Sequence, residues 1–220
     1  MATTPQSIPA SGVLDLTGFT SVRIEQHVEV LEFFTGFEGA NRYDVLDGAG
    51  QAIAHAAEST SGAHRVILGG SRLESIALYN AAGEPVLSLK EEFGFPYSTH
   101  RVTDAAGNPL FQVRQQFAFF SRKYAIQDGQ SPDMTVKGPW FRPWTFMVYE
   151  GEQPVGKVTK QFSGIGREIG TDADKFLVEF MDTTSDHLRR LKMLVMGFVI
   201  DMKHFEGKGR KSGISFGMGR

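Results

Sequence analysis

The feature of this sequence that most constrains its fold is a turn motif that occurs three times. Asp47, Asn80 and Asp104 each begin the same pattern, in which two small residues and a glycine follow the Asx residue. An Asx side chain that opens a turn and a glycine that closes it in the left-handed region are typical of β-hairpins. Strand-forming residues flank each copy, and two weaker copies follow near residues 128 and 150.

Five consecutive hairpins predict an antiparallel sheet of ten or more strands. A sheet of that length usually curls or closes on itself, and closure also removes its exposed edges. We therefore predict a mainly β protein, a closed antiparallel β-barrel of about 12 strands.

One segment, about residues 187–205, is the only long stretch with a helical pattern. Asp186 or Ser185 can cap its start. Its centre, Met193 to Ile200, is apolar on every side, which indicates a helix buried all round. Those eight uncharged residues are too few for a membrane span, which needs about 20. We predict a C-terminal helix that fills the barrel.

Charge and cysteine content narrow the classes of partner. The chain has no cysteine, which excludes disulfides, thiolate metal sites, cysteine nucleophiles and palmitoylation. Its net charge is −2, yet Leu188–Arg220 carries eight Lys or Arg and only two Asp or Glu. This basic segment predicts an anionic partner, either phosphate-bearing lipid or nucleic acid, and a solubilising tail is the alternative. We expect a flexible leader at 1–20, a barrel domain at 21–206 and a disordered basic Gly-rich tail at 207–220.

Motifs of catalysis are incomplete in this sequence. The stretch "GEQPVGKV" nearly matches a phosphate-binding P-loop, but Val158 follows Lys157, so no hydroxyl is present for magnesium. The six histidines show no metal-ligand spacing, and there is no Gly-x-Ser-x-Gly elbow. The sequence predicts a protein that is not an enzyme.

The loop "KGPWFRPWTF" contains both tryptophans of the chain. Its Trp140, Phe141, Arg142 and Trp144 suit contact with a membrane interface or an anionic headgroup. Alternatively, Trp140 and Trp144 plug one end of the barrel, and the usual burial of tryptophan favours that interpretation. The stretch "QQFAFFSRKY" has the same two alternatives.

Four segments resemble the conserved domain of the phospholipid scramblase family. They are "VEVLEFFTGFEGANRYDV", "GQAIAHAAES", "VGKVTKQFSGIGREIGTDADKF" and "FVIDMKHFE". The resemblance is collinear and spans about residues 22–206. That family is similar in fold to the Tubby C-terminal domain and to plant LURP-one-related proteins. The resemblance therefore implies a closed barrel around one central C-terminal helix.

The resemblance also implies a function. Scramblase-family proteins are associated with calcium-stimulated, ATP-independent movement of phospholipids between leaflets, with the terminal helix proposed to cross the membrane. This sequence lacks the family's palmitoylated cysteine clusters and long proline-rich N-terminal region. We predict a scramblase-like protein that binds or moves membrane phospholipid. The alternative is a soluble lipid- or phosphoinositide-headgroup-binding or regulatory interaction domain without scrambling activity.

Two kinds of contact follow from these hypotheses. We expect a cytoplasmic protein, peripheral at the membrane, whose partner is an anionic phospholipid or membrane surface. The tail residues Lys208, Arg210 and Lys211 join the tryptophan loop as candidate lipid contacts. Nucleic acid is a second candidate partner for the tail, and the oligomeric state is left open.

Three aspartates are the candidate calcium ligands. The resemblance places Asp172, Asp174 and Asp182 at the family's proposed calcium segment, with Asp182 one residue early. An EF-hand loop counted from Asp172 fails, because Leu177 stands where glycine is needed and Thr183 where a bidentate glutamate is needed. We expect no required cofactor and calcium binding of the millimolar class at most.

Overall fold

The computed structural model describes residues 12–27, 42–60, 74–129, 134–161, 175–181 and 186–204. These residues form a closed barrel in which every strand is antiparallel to both neighbours, and β1 pairs with β12 to complete the circle. The strands are β1 (Ser21–His27), β2 (Arg42–Leu46), β3 (Ala52–Thr60), β4 (Glu74–Asn80), β5 (Pro85–Glu92), β6 (Thr99–Asp104), β7 (Pro109–Gln116), β8 (Ser121–Gln127), β9 (Met134–Pro139), β10 (Thr145–Glu150), β11 (Gln153–Gln161) and β12 (Lys175–Phe180). The predicted closed antiparallel barrel of about 12 strands is confirmed.

The repeated Asx motif forms the hairpin turns. One carboxylate oxygen of Asp47 accepts hydrogen bonds from two backbone N–H groups of its own turn, at 2.9 and 2.8 Å. Asn80 and Asp104 make the same pair of contacts. The glycines that close the turns have positive φ: Gly50, Gly83 and Gly107. Glycine adopts this conformation without the steric cost that a Cβ would add.

Antiparallel order places the connections alternately at two ends of the barrel. The connections that follow β2, β4, β6, β8 and β10 share one end, which we call the turn end. It carries all five of the predicted hairpin turns. The connections that follow β5, β7 and β9 share the opposite end, which we call the loop end.

The helix α1 (His187–His204) starts at the turn end and runs through the barrel to the loop end. Asp186 caps it, because its carboxylate accepts a hydrogen bond from the backbone N–H of Arg189 at 3.0 Å. Every residue from Arg190 to Met202 is buried. The predicted core helix is therefore confirmed. In the described part of the chain, no helix combines the length and apolar character that crossing a membrane requires.

Polar contacts tie the helix to the strands at both ends. At the turn end, Lys192 Nζ lies 2.8 Å from a carboxylate oxygen of Asp128, and the two side chains are only 4% and 5% exposed. At the loop end, Lys203 forms an ion pair with Glu91. Two further contacts join helix to strand: Arg189 with Glu150, and Asp201 with Tyr43. A buried charge is tolerated when a partner and hydrogen bonds compensate it, as here.

Residues 12–20 differ from the sequence-based expectation of a flexible leader. Leu14 and Leu16 are buried against the barrel. The guanidinium of Arg190 donates hydrogen bonds to the backbone carbonyls of Leu16 and Phe19, each at 2.6 Å. A buried arginine needs several acceptors, and this segment supplies them. These contacts hold 12–20 against the barrel. Residues 1–11 and the tail 207–220 lie outside the described residues.

Candidate functional site

Exposed apolar side chains are concentrated at the loop end of the barrel. Among the described residues, ten large apolar side chains are exposed, and eight of them are aromatic and lie in the connections after β5, β7 and β9. We call these eight residues the aromatic rim: Phe93, Phe95, Phe117, Phe119, Phe120, Trp140, Phe141 and Trp144. Because β5 to β10 are consecutive around the barrel, the three loops occupy one continuous arc of the loop end.

Each loop of the rim contributes at least one aromatic ring that is almost fully exposed. Phe95 is 90% exposed, Phe120 is 87% exposed and Phe141 is 81% exposed. Soluble domains rarely expose large contiguous apolar patches, and such patches mark contact with a partner or a membrane. The rim is therefore the strongest candidate for a functional surface in the described part of the chain.

The alternative that the tryptophans plug the barrel is wrong. Trp140 is 66% exposed and Trp144 is 36% exposed. The interior at this height is filled by other residues: the ring of Phe146 stacks on that of His204 with centroids 5.7 Å apart, and the hydroxyl of Tyr124 lies 2.5 Å from His204 Nε2. The end of the helix closes the barrel, so the tryptophans remain outside.

Contacts beneath the rim hold the β9–β10 loop in place. Arg122 donates a hydrogen bond to the carbonyl of Pro143 at 2.5 Å, and its guanidinium lies 4.6 Å from the centroid of the Phe146 ring. The carbonyl of Trp144 accepts a hydrogen bond from the backbone N–H of Lys160. Arg142 is exposed within the rim, with its guanidinium 6.0 Å from the ring of Phe141. The four loop residues predicted from the sequence, 140–142 and 144, thus share one exposed surface.

A polar layer lies directly below the rim, inside the barrel. His100 is 2% exposed, and its burial together with the charge of Lys203 lowers its pKa to about 4. Burial works to raise the pKa of Glu91, but hydrogen bonds from Lys203 and Ser98 outweigh burial and lower that pKa. Glu91 and Lys203 are therefore a charged pair, and His100 beside them is neutral near pH 7.

Sequence reasoning did not single out Phe93, Phe95 or the polar layer. The stretch "EEFGFPY" did indicate exposed aromatic rings, because its glycine and proline mark a connection and connections usually lie at the surface. The sequence indicated the burial of His100 more weakly, because His100 lies two residues before Val102 and so on the same inward face of β6.

The remaining predicted site residues lie outside the described residues: Asp172, Asp174, Asp182, Lys208, Arg210 and Lys211. The described residues on either side of 162–174 are Gln161 and Lys175, which pair across β11 and β12. Within the described ranges, no group of three or more His, Cys, Asp or Glu side chains could hold a metal ion. Calcium binding at the three aspartates and lipid contact by the tail stay predictions.

A closed twelve-stranded antiparallel barrel that contains a single C-terminal helix is consistent with the Tubby-like fold. The family model described as Scramblase matches residues 2–207. The chain therefore belongs to the Scramblase family.

Individual relatives agree with this assignment. The chain is 29% identical over 217 residues to Phospholipid scramblase 1 of Rattus norvegicus, which covers 91% of this chain and 64% of the relative. It is 29% identical over 223 residues to Phospholipid scramblase 1 of Homo sapiens, and the match covers 92% of this chain and 69% of the relative. For Phospholipid scramblase 2 of Bos taurus the identity is 28% over 212 residues, and the match covers 89% of this chain and 71% of the relative. The chain thus spans slightly less than two thirds of the length of the rat relative. No solved structure gave a significant match.

Proposed function

We propose that this Scramblase-family protein binds the surface of phospholipid membranes by inserting its aromatic rim into the interfacial region. The observation that supports this proposal is the concentration of eight exposed aromatic side chains on three neighbouring loops at one end of the barrel. Tryptophan and other aromatic side chains favour the boundary between headgroups and acyl chains, where one part of the ring system is apolar and the other is wet.

The expected free energy of transfer is large enough to hold a protein at a membrane. Complete burial of one phenylalanine side chain is worth about 1.5–3 kcal/mol. The three most exposed rings, Phe95, Phe120 and Phe141, come from three different loops, so all can enter the same planar surface. The barrel already holds these loops at its end, and little conformational entropy is lost on binding. Arg142 adds a charge that can pair with lipid phosphate.

Co-flotation with phospholipid vesicles tests this proposal. The rim variant F95S/F120S/F141S changes one residue in each loop. The matched control is V13S/M181S, because Val13 and Met181 are, among the described residues, the two exposed large apolar residues outside the rim, and both lie at the turn end. We expect the wild type and the control to float with vesicles and the rim variant to bind at least tenfold more weakly. Flotation of the rim variant at the wild-type level would contradict the proposal.

Transbilayer movement of phospholipid is the second candidate function, and the names of the relatives support it. The same vesicles, loaded with a fluorescent phospholipid and exposed to the membrane-impermeant reductant dithionite, provide the assay. Quenching beyond the outer leaflet, with or without calcium, would support movement. Binding without such quenching would restrict the function to peripheral membrane binding.

A further inference from the structure

We infer that one wall of the barrel, below the aromatic rim, recognises anionic phospholipid headgroups, and that the docked barrel is inclined toward this wall. The inference rests on the proposed function and specifies the lipid class and the orientation. The wall consists of Arg114 on β7, Lys123 on β8 and Lys137 on β9, which we call the basic wall. These side chains face outward, because their neighbours Val113, Tyr124 and Val136 are buried in the core.

The three strands bring like charges together. Lys123 and Lys137 lie directly opposite each other across β8 and β9, and Arg114 lies opposite Ala125 on β8, two residues from Lys123. Like charges in directly opposed positions destabilise a sheet. An anionic partner compensates such a cluster when it binds, which is the arrangement expected of an anion-recognition surface.

Among the described residues, no carboxylate forms an ion pair with the basic wall. The strands β7, β8 and β9 contain no Asp or Glu, and neither do the loops 117–120 and 140–144. Lys137 Nζ lies 4.9 Å from the ring of Tyr149, a contact that leaves its positive charge uncompensated. Within the described ranges, none of the three basic side chains has a carboxylate at ion-pair distance.

The neighbouring wall, formed by β1, β12 and β11, has a different arrangement of charge. Arg23 lies 2.6 Å from a carboxylate oxygen of Glu25, Lys175 lies 3.6 Å from the same group, and Lys157 lies 2.6 Å from Glu179. Each of these three basic residues has a carboxylate within ion-pair distance. On the basic wall no such carboxylate partner exists among the described residues, and the same arc carries the aromatic rim.

The distance between basic wall and rim fits the depth of a membrane interface. Arg114 precedes Phe117 by three residues, Lys123 follows Phe120 by three, and Lys137 precedes Trp140 by three. At a rise of about 3.3 Å per residue, the charges lie on the order of 10 Å along the barrel from the rim. Apolar groups of interfacial proteins enter about 5–10 Å into the headgroup and acyl boundary. Charges about 10 Å behind them reach the level of the phosphates. Because these charges lie on one side only, they incline the barrel.

Binding to vesicles of two compositions tests the basic wall. The wall variant is R114Q/K123Q/K137Q, and the matched control is R23Q/K157Q/K175Q, which removes the same number of positive charges from β1, β11 and β12. The vesicles are phosphatidylcholine alone or phosphatidylcholine mixed with phosphatidylserine. A basic residue near an anionic surface contributes about fivefold in affinity, so the wall variant should bind mixed vesicles roughly 100-fold more weakly than the control. The wall variant should bind neutral vesicles as tightly as the wild type does. Added salt should reduce the preference of the wild type for mixed over neutral vesicles.

The outcomes separate the inference from the proposed function. A wild type that binds neither vesicle overturns both. If the wild type binds through the rim but the wall variant and the control bind mixed vesicles with equal affinity, only the inference about the basic wall is overturned.

Single cysteines report the orientation, because the chain has none of its own. Gln116 ends β7 on the side of the basic wall, and His27 ends β1 on the far side, both next to the loop end. Each is replaced by cysteine and labelled with an environment-sensitive dye. On mixed vesicles we expect a blue shift at position 116 and little change at position 27. Equal shifts at both positions would mean upright docking and would overturn the inclined orientation.

Discussion

Single charged side chains decide how firmly the helix is held inside the barrel. Lys192 and Asp128 form an ion pair whose side chains are 4% and 5% exposed. Moving either charge out of water costs several kcal/mol, and the partner compensates most of that cost. Such a pair adds little net stability, but loss of one partner leaves an uncompensated charge in the core.

The Asp128→Ala variant measures this dependence. We expect its free energy of unfolding in urea at neutral pH to fall by about 3–5 kcal/mol, because Lys192 remains buried without its carboxylate. The control is Glu179→Ala, which removes the partner of Lys157 from a pair whose side chains are 29% and 33% exposed. For the control we expect a loss below about 1 kcal/mol. Equal losses in the two variants would contradict the assignment of Lys192–Asp128 as a buried pair.

His100 makes the stability of the barrel sensitive to acid. Its pKa is lowered to about 4 from an ordinary value of 6.5 by burial and by Lys203, although Glu91 and a hydrogen bond with Val113 act in the opposite direction. The unfolded chain binds a proton as the pH falls through 6.5, whereas the folded protein binds it only near pH 4. The contribution to stability is therefore complete above pH 6.5 and is lost progressively as the pH falls toward 4.

Unfolding curves at neutral pH and at a pH of about 5 test this expectation. Wild-type protein should lose stability on acidification, and His100→Gln should lose on the order of 1–3 kcal/mol less, because glutamine does not titrate. His55→Gln serves as the control, since the His55 side chain is 49% exposed. A wild type and a His100→Gln variant with the same pH dependence would show that His100 is not the responsible group.

At the scale of elements, Gly197 sets how closely the helix approaches the sheet. A Cβ at this position would lie 2.5 Å from Ile24 Cδ1 on β1 and 3.5 Å from Val178 on β12. These are the two strands that close the barrel, so the close approach occurs at the closing seam.

The Gly197→Ala variant tests this packing. Alanine favours the helix by up to about 1 kcal/mol, but overpacking of a filled core costs about 1–3 kcal/mol, and we expect a net loss of stability. Adding Ile24→Val removes the methyl group that an alanine would meet. The double variant should then be more stable than the sum of the two single changes predicts, as a double-mutant cycle in urea will show. Strict additivity would mean that Ile24 does not limit the approach.

The sequence predicts elements well where local chemistry determines them. The turns at Asp47, Asn80 and Asp104 follow from side-chain hydrogen bonds within each turn, and the helix follows from its uniformly apolar centre. The packing of 12–20 could not be predicted, because it depends on Arg190, which is distant in sequence and seeks carbonyl acceptors there.

The candidate site was predicted only in part, for a similar reason. The exposure of Trp140 depends on whether other groups fill the end of the barrel, and His204 and Phe146 do so. The basic wall needed the strand register, because Lys123 and Lys137 are adjacent only once β8 and β9 are paired. Alternation along each strand indicates which face a residue occupies, but not its neighbour across the sheet.

At the scale of the whole molecule, the two ends of the barrel differ in chemistry. The turn end carries short Asx–Gly turns with acidic residues at Asp47, Glu84 and Asp104. The loop end carries the aromatic rim with the basic wall beside it. An anionic surface attracts one end and repels the other, so the charge distribution favours approach with the rim leading.

The pairing of β1 with β12 also leads to an expectation about the order in which the protein folds. Ser21 lies opposite Glu179, so the contact that completes the sheet joins the first described strand to the last. The helix that fills the interior follows β12 in the chain. During synthesis, all twelve strands therefore emerge before the helix that covers their apolar faces. Contacts of such high sequence separation form slowly and leave apolar surface open to aggregation meanwhile. We therefore expect the core to assemble only after the helix has emerged from the ribosome.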